Sequence, residues 1–211
     1  MKVTLFGATG KTGKYLIQEG LKRGYDITVF IRKGSQFNYQ NVRVVRGDLT
    51  NPDDVRKAVS GSEAVLSALG PTKVSHSKDM PIKHALDNVI SVMKSEGINR
   101  LIAISTGTAA DPGDGFDMKI WLPAQMIRLL LPNIYLDIVG TSNVIRSSGL
   151  DWTLVRVALL NNRQSSHQLN VGLYGNLKHT LSIARIDVAN FMFDQIDNTE
   201  YINKAPGISS N

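Results

Sequence analysis

Short apolar runs recur along the chain, and most are followed by a longer stretch whose apolar positions repeat every three or four residues. The runs at 2–6, 26–31, 42–46, 63–68, 99–104 and 152–156 have strand length and read as buried strands. The stretches at 13–23, 52–60, 81–96 and 137–148 predict helices with one apolar face. Pro52 suits the first turn of its helix, with Asn51 as the cap. Gly24, Gly61, Gly97 and Gly149 stand where helices should stop. Alternation of this kind predicts an α/β fold, a doubly wound parallel sheet covered on both faces, as in a Rossmann fold.

Two segments break the rhythm. Residues 107–135 hold a Gly- and Asp-rich stretch and then an apolar one containing Trp121, Met126 and Leu129 to Leu131. Residues 157–182 are polar-rich. Both follow strand carboxyl ends, the edge at which open α/β sheets bind ligands, so both are candidate lid or substrate segments. The alternative is that Trp121 and its neighbours simply pack on the domain. The length of 211 residues fits a single domain, 1–211, with these segments as a small elaboration on the substrate side.

The junction of the first strand and first helix carries the strongest chemical signal. Val3-Thr4-Leu5-Phe6 runs into Gly7-Ala8-Thr9-Gly10-Lys11-Thr12-Gly13. Gly7 permits a tight turn, Gly10 lets a pyrophosphate approach the backbone, and Gly13 lets the helix pack close to the sheet. The helix N-terminus presents free N–H groups and a favourable dipole to phosphate, and Thr9, Lys11 and Thr12 stand beside it. The spacing is GxxGxxG rather than GxGxxG, and only two residues separate Gly7 and Gly10, which excludes a P-loop reading of Gly10-Lys11-Thr12.

Further stations lie at successive strand ends. Arg32 and Lys33 end the second strand, and no acidic residue occurs between Asp26 and Asp48. An acid at this tip would accept from the ribose hydroxyl of NAD, whereas Arg accommodates the 2′-phosphate of NADP, so NADP(H) is the expected cofactor. Asp48 and Leu49 end the third strand, placed either to meet the adenine or, for Asp48, to cap a turn. Ala68, Leu69 and Gly70 end the fourth, where the backbone can lie against a ribose. Ser105 and Thr106 end the fifth, facing the nicotinamide region; a hydroxyl there either orients a substrate carbonyl or satisfies a backbone group. His76, in the loop after the fourth strand and near the site, reads as a surface loop residue rather than a base.

Composition narrows the classes. There is no cysteine, which excludes disulfides, thiolate metal sites and a cysteine nucleophile and favours a cytoplasmic setting. The four histidines show no metal-ligand spacing, so no metal is expected. The first apolar run is too short for a signal peptide, and no run approaches the length of a membrane span, so no membrane partner is expected. The net charge is +6, but the basic residues are scattered, which argues against nucleic acid.

Taken together, GATGKTG at 7–13, IRK at 31–33, GDLTNPDDV at 47–55, ALG at 68–70, INRLIAIST at 98–106, SGLDWTLVR at 148–156 and IARIDVANFM at 183–192 resemble the atypical short-chain dehydrogenase/reductases. The likeness is to their NAD(P)H-binding, NmrA-like branch and its biliverdin reductase B/flavin reductase type. The resemblance implies that Gly7, Thr9, Gly10, Thr12, Arg32, Asp48, Leu49, Leu69 and Gly70 bind the cofactor, that Ser105 and Thr106 stand beside the nicotinamide, and that Asp187 is structural. Two departures stand out. Tyr135 is followed four residues later by Val139, so the superfamily's YxxxK pair is absent, and the usual Arg-Pro-Gly is Arg156-Val157-Ala158.

Two functions follow. One is an NADPH-dependent reductase of a flavin, quinone or related conjugated acceptor, whose reduced form takes its proton from solvent and needs no strong internal acid. The other is a non-enzymatic NADP(H) sensor of the NmrA-like type, with a regulatory protein partner. The first expects an open cavity beside Thr106; the second expects that cavity to be filled by apolar side chains from 107–135.

Overall fold

The computed structural model describes residues 1–72, 74–166 and 168–210. Its first half follows the sequence pattern: β1 (Lys2–Phe6), α1 (Lys11–Lys22), β2 (Asp26–Arg32), β3 (Arg43–Gly47), α2 (Pro52–Val59), β4 (Ala64–Ser67), α3 (Pro81–Ser95) and β5 (Arg100–Thr106). Asn51 caps α2 as expected, its side chain accepting from the N–H groups of Asp53 and Asp54, with Pro52 in the first turn.

The second half departs from the pattern. The apolar stretch after β5 is a helix, α4 (Met118–Leu130), and α5 starts at Pro132 and runs to Arg146, five residues earlier than its periodicity indicates. Pro123 lies inside α4 without ending it, and Pro132 opens α5 because a helix's first turn needs no N–H from that residue. After β6 (Asp151–Val157) come β7 (Leu159–Asn161), β8 (Leu169–Gly172), β9 (Ser182–Ala184), α6 (Arg185–Asp194) and β10 (Gly207–Ser210). Strands of three or four residues are too short to carry a readable period.

Eight strands form one sheet in the order β3-β2-β1-β4-β5-β6-β10-β8, and β7 pairs with β9 in a small second sheet. The six strands legible in the sequence are parallel, and β10 continues them beside β6. β8 is the exception to a purely parallel sheet: it closes the edge antiparallel to β10. Two cores cover the two faces. Val3, Leu5, Ile27 and Val29 point with Leu16 and Phe193 to the α1 and α6 side. Phe6, Phe30, Val65 and Leu101 point with Val55, Val89 and Ile145 to the other. Alternate residues of each parallel strand therefore feed opposite cores.

Candidate active site

The carboxyl ends of β1, β4, β5 and β6 surround a cavity of about 550 Å³. At its phosphate end lies the glycine turn. Gly7 has φ +81°, and a Cβ there would come within 2.6 Å of the Ala68 carbonyl, so the turn lies directly on the end of β4. A Cβ on Gly13 would meet the Gly7 oxygen at 2.4 Å, so this glycine does allow α1 to close on the turn. Gly10 differs: the only neighbour of its Cβ position is the Gly7 oxygen at 3.2 Å, and its other side is open. Gly10 is also the N-cap of α1 and brings no side-chain acceptor. The first N–H groups of the helix are left facing the cavity, a ready anion site.

Of the residues singled out in the sequence, Thr9, Gly10, Lys11, Thr12, Ala68, Leu69, Gly70, Ser105 and Thr106 line this one cavity. Gly7 and Gly13 lie beneath it as supports. Arg32, Lys33, Asp48 and Leu49 stand outside it at the neighbouring tips of β2 and β3, where Arg32 pairs with Gly47. The Arg32 side chain is exposed and makes no hydrogen bond or ion pair to the described residues. Lys33 reaches Asp54, with Nζ 3.4 Å from Oδ2. Asp48 Oδ1 accepts from the N–H and hydroxyl of Thr50 at 2.9 and 2.8 Å, which is the turn-capping arrangement. Those bonds, the backbone one foremost, hold its carboxyl below the usual range. The Leu49 carbonyl accepts from Asn88 Nδ2 at 2.7 Å.

The two hydroxyls at the end of β5 have different duties. Ser142 donates to the Ile138 carbonyl at 3.0 Å and lies 3.3 Å from Ser105 Oγ. With its own proton committed, Ser142 can only accept, so Ser105 donates to it. Thr106 Oγ1 accepts from the N–H of Thr108 at 3.3 Å and keeps its O–H free to donate into the cavity.

The structure adds residues that local spacing does not reveal. Ile82, Ile104, Ile138, Val157 and Leu160 make the far wall apolar. Thr141 and Arg185 also line the cavity, and Thr141 Oγ1 and Arg185 Nε are buried without a partner among the described residues. Unsatisfied polar atoms on a cavity wall, together with an open glycine turn at a helix N-terminus, suit a dinucleotide carrying phosphates and an amide.

His76 requires correction. It is not a free surface residue: its Nε2 donates to Asp137 Oδ2 at 2.6 Å. Asp137 is fully buried on α5, lines the cavity, and accepts from the N–H groups of Ile82 and Lys83 at 3.0 and 2.7 Å. Met80, the N-cap of α3, has no capping side chain, so a carboxylate from another helix does that work and fixes His76 as well. The segment of Trp121 packs on the domain only in part: Ile120, Ala124 and Ile127 are half-buried, but α4 contains no fully buried residue and Trp121 is half exposed. Among the described residues none of 107–135 lines the cavity, whereas 157–182 supplies Val157, Ala158 and Leu160. His167, within that second segment, lies outside the described residues.

Asp187 has the structural place that the resemblance implies. On the first turn of α6, it accepts from the hydroxyl of Ser165 and from the N–H of Ser166 at 3.1 Å.

A family model for NAD(P)H-binding proteins matches residues 7–199, most of the chain. The chain belongs to the NAD(P)H-binding family. Among relatives of this family's fold, the uncharacterized protein YwnB of Bacillus subtilis (strain 168) is 21% identical over 211 residues, covering 97% of this chain and 96% of that protein. The human sterol-4-alpha-carboxylate 3-dehydrogenase, decarboxylating, is 30% identical over 122 residues, or 56% of this chain. The chain spans only 32% of that enzyme's length. A short-chain dehydrogenase/reductase of Veillonella parvula DSM 2008, solved in complex with NADP, superposes with a TM-score of 0.77 at 19% identity, covering 99% of this chain and 94% of its own. The chain thus has an NAD(P)H-binding Rossmann-like fold, which it shares with that short-chain dehydrogenase/reductase. The anaerobillin reductase ChuY of Escherichia coli O157:H7 shares the fold as well, with a TM-score of 0.78 at 18% identity, a likeness that selects no single protein. Among the described residues there is no cluster of three side chains able to hold a metal, and no helix is long and apolar enough to cross a membrane.

Proposed function

We propose that the protein is an NADPH-dependent reductase of a planar conjugated acceptor, a quinone or flavin. The observation that carries this reading is the cavity beside Thr106. It is open, it has an apolar far wall, and no side chain of α4 lines it. A sensor that used those side chains to plug the nicotinamide position would have the opposite arrangement.

NADPH supplies two electrons and a proton as hydride and leaves as NADP⁺, while a quinone taking these with one proton from water leaves as hydroquinone. The chain's own tasks are then binding and orientation. The N-terminus of α1 holds the pyrophosphate, and Arg32, free at the tip of β2, takes the 2′-phosphate and favours NADP(H) over NAD(H). Ser105, tied to Ser142, fixes the strand end. Thr106 donates to an acceptor oxygen and polarises it. Such acceptors form stable reduced anions that water protonates, so the absence of a Tyr–Lys pair is no obstacle.

The test is NADPH oxidation against FMN, riboflavin, short-chain quinones and biliverdin, with NADPH binding titrated alongside. Turnover well above the background rate is expected with at least one quinone or flavin. Tight NADPH binding with no turnover of any of them would overturn the reductase reading in favour of the sensor.

A further inference from the structure

The surface of α4 is inverted relative to an ordinary surface helix. Ile120, Ala124 and Ile127 face inward and are half-buried. Ile120 closes over Gly107, where a Cβ would come within 2.7 Å of its side chain. Met118, Leu122, Met126 and Leu129 fall at helical spacing on the opposite side and are exposed, Leu129 to 81%. A helix that is apolar on both faces belongs against a second apolar phase.

The patch is larger than this helix. Among the described residues, twelve of the fourteen exposed large hydrophobic side chains lie in three segments, 68–80, 107–136 and 158–181. These are the segments that leave β4, β5 and β6 at their carboxyl ends, the same ends that frame the cavity. Val74, Phe116, Trp121 and Leu159 extend the apolar surface along that edge. Soluble monomers seldom expose an apolar patch of more than a few hundred Å².

Charge selects the occupant. From 118 to 136 the chain has Lys119 and Arg128 and no acidic residue; just before it, Asp111 and Asp114 are paired with Arg146 and Arg156 and Asp117 caps α4, and the whole chain carries +6. Arg128 lies over the ring of Tyr135, at 5.8 Å from its centroid. A second copy presenting the same face would offer these two cations one capping carboxylate, Asp117, and otherwise their own like charges. An anionic lipid surface offers phosphates to Lys119 and Arg128, an acyl layer to the Met and Leu stripe, and a headgroup zone suited to Trp121.

We infer that this edge docks on an anionic membrane through α4, with the cavity mouth at the lipid surface. This rests on the reductase reading and narrows its acceptor to a lipid-soluble quinone. Such an acceptor would reach Thr106 from the bilayer: α5 continues from α4 and contributes Asp137, Ile138 and Thr141 to the cavity wall. The earlier expectation of no membrane partner rested on the length of apolar runs, which measures spanning and not surface docking.

Flotation of the full chain with vesicles tests the docking. Vesicles of phosphatidylcholine mixed with phosphatidylglycerol should carry the protein, and pure phosphatidylcholine vesicles should carry far less. Leu122→Glu with Leu129→Glu should reduce binding by about tenfold or more, since both side chains are solvent-exposed and the melting temperature should hold. Lys119→Glu with Arg128→Glu should remove the preference for anionic lipid. Equal recovery with both vesicle types overturns the inference, and so does a dimer in light scattering that floats with neither. A long-chain quinone in the anionic vesicles separates the two readings. If the Glu pair loses turnover of that quinone but keeps NADPH affinity and turnover of a short-chain soluble quinone, docking and acceptor both stand. If a soluble quinone is reduced but no vesicle binds, docking fails and the reductase stands. If vesicles bind but no quinone is reduced, docking stands and the acceptor assignment fails.

Discussion

The guanidinium of Arg156 and the carboxylate of Asp114 form a two-pronged ion pair, Nη1 to Oδ2 at 2.5 Å and Nη2 to Oδ1 at 2.7 Å. Arg156 is fully buried on β6, donates from Nε to the Ala205 carbonyl, and lies 4.7 Å from the ring centre of Tyr174. Tyr174 in turn donates its hydroxyl to the Arg156 carbonyl, and burial pushes that phenol up to about 12. One pair thus ties the loop before α4 to β6, to the Ala205 backbone and to Tyr174 just beyond β8.

Removing one member should be costly, because the other charge would stay buried and unpaired. Asp114→Asn is expected to lower unfolding free energy by about 3 kcal/mol or more in urea titration. The double variant Arg156→Met with Asp114→Leu should be less damaged than the sum of the single changes. Additive losses would mean that the two groups are not coupled.

The same pair predicts an acid limb. Burial opposes ionisation of Asp114, but the bonds from Arg156, the Asp111 N–H and the Tyr174 N–H outweigh it and hold the carboxyl below its usual value. The folded pKa is therefore below the unfolded one of about 3.9. Its stabilisation is full above that value and is lost as pH falls through the folded pKa. Unfolding midpoints measured between neutral pH and pH 3 should fall with acidification, and less steeply in Asp114→Asn.

The glycines of the turn should separate by function. Gly10→Val should abolish binding of NADPH and NADH while the protein stays folded, since only the open side of the turn is filled. Gly13→Ala should instead lower the melting temperature, because its Cβ has no room beside the Gly7 oxygen. Fluorescence titration and thermal melts on both variants check this.

Arg32→Ala is expected to weaken NADPH by about tenfold or more and NADH by little, as loss of one charge-assisted phosphate contact requires. Equal weakening of both would contradict the assignment of Arg32 to the 2′-phosphate.

Thr106→Val should lower kcat by roughly tenfold with NADPH affinity intact, and Thr106→Ser should restore most of it. A Val variant with unchanged kcat would remove Thr106 from the chemistry.

The sequence by itself determined the parallel β1-to-β6 framework, the glycine turn and the strand-end stations. These are written in short-range patterns: a period of two or 3.6, a cap, a glycine where a turn or close approach excludes a Cβ. Thr9, Thr12, Leu69, Gly70 and Thr106 could be assembled into one site because strand ends in a parallel sheet share one edge. The tertiary structure alone decided the rest. His76 and Asp137 are 61 residues apart and Arg156 and Asp114 are 42 apart, and no local spacing encodes either meeting. Buried polar atoms must find partners wherever packing brings them, and that depends on how helices dock. In α4, periodicity registers apolar residues on both faces, but only packing tells which face finds the domain and which is left for another surface.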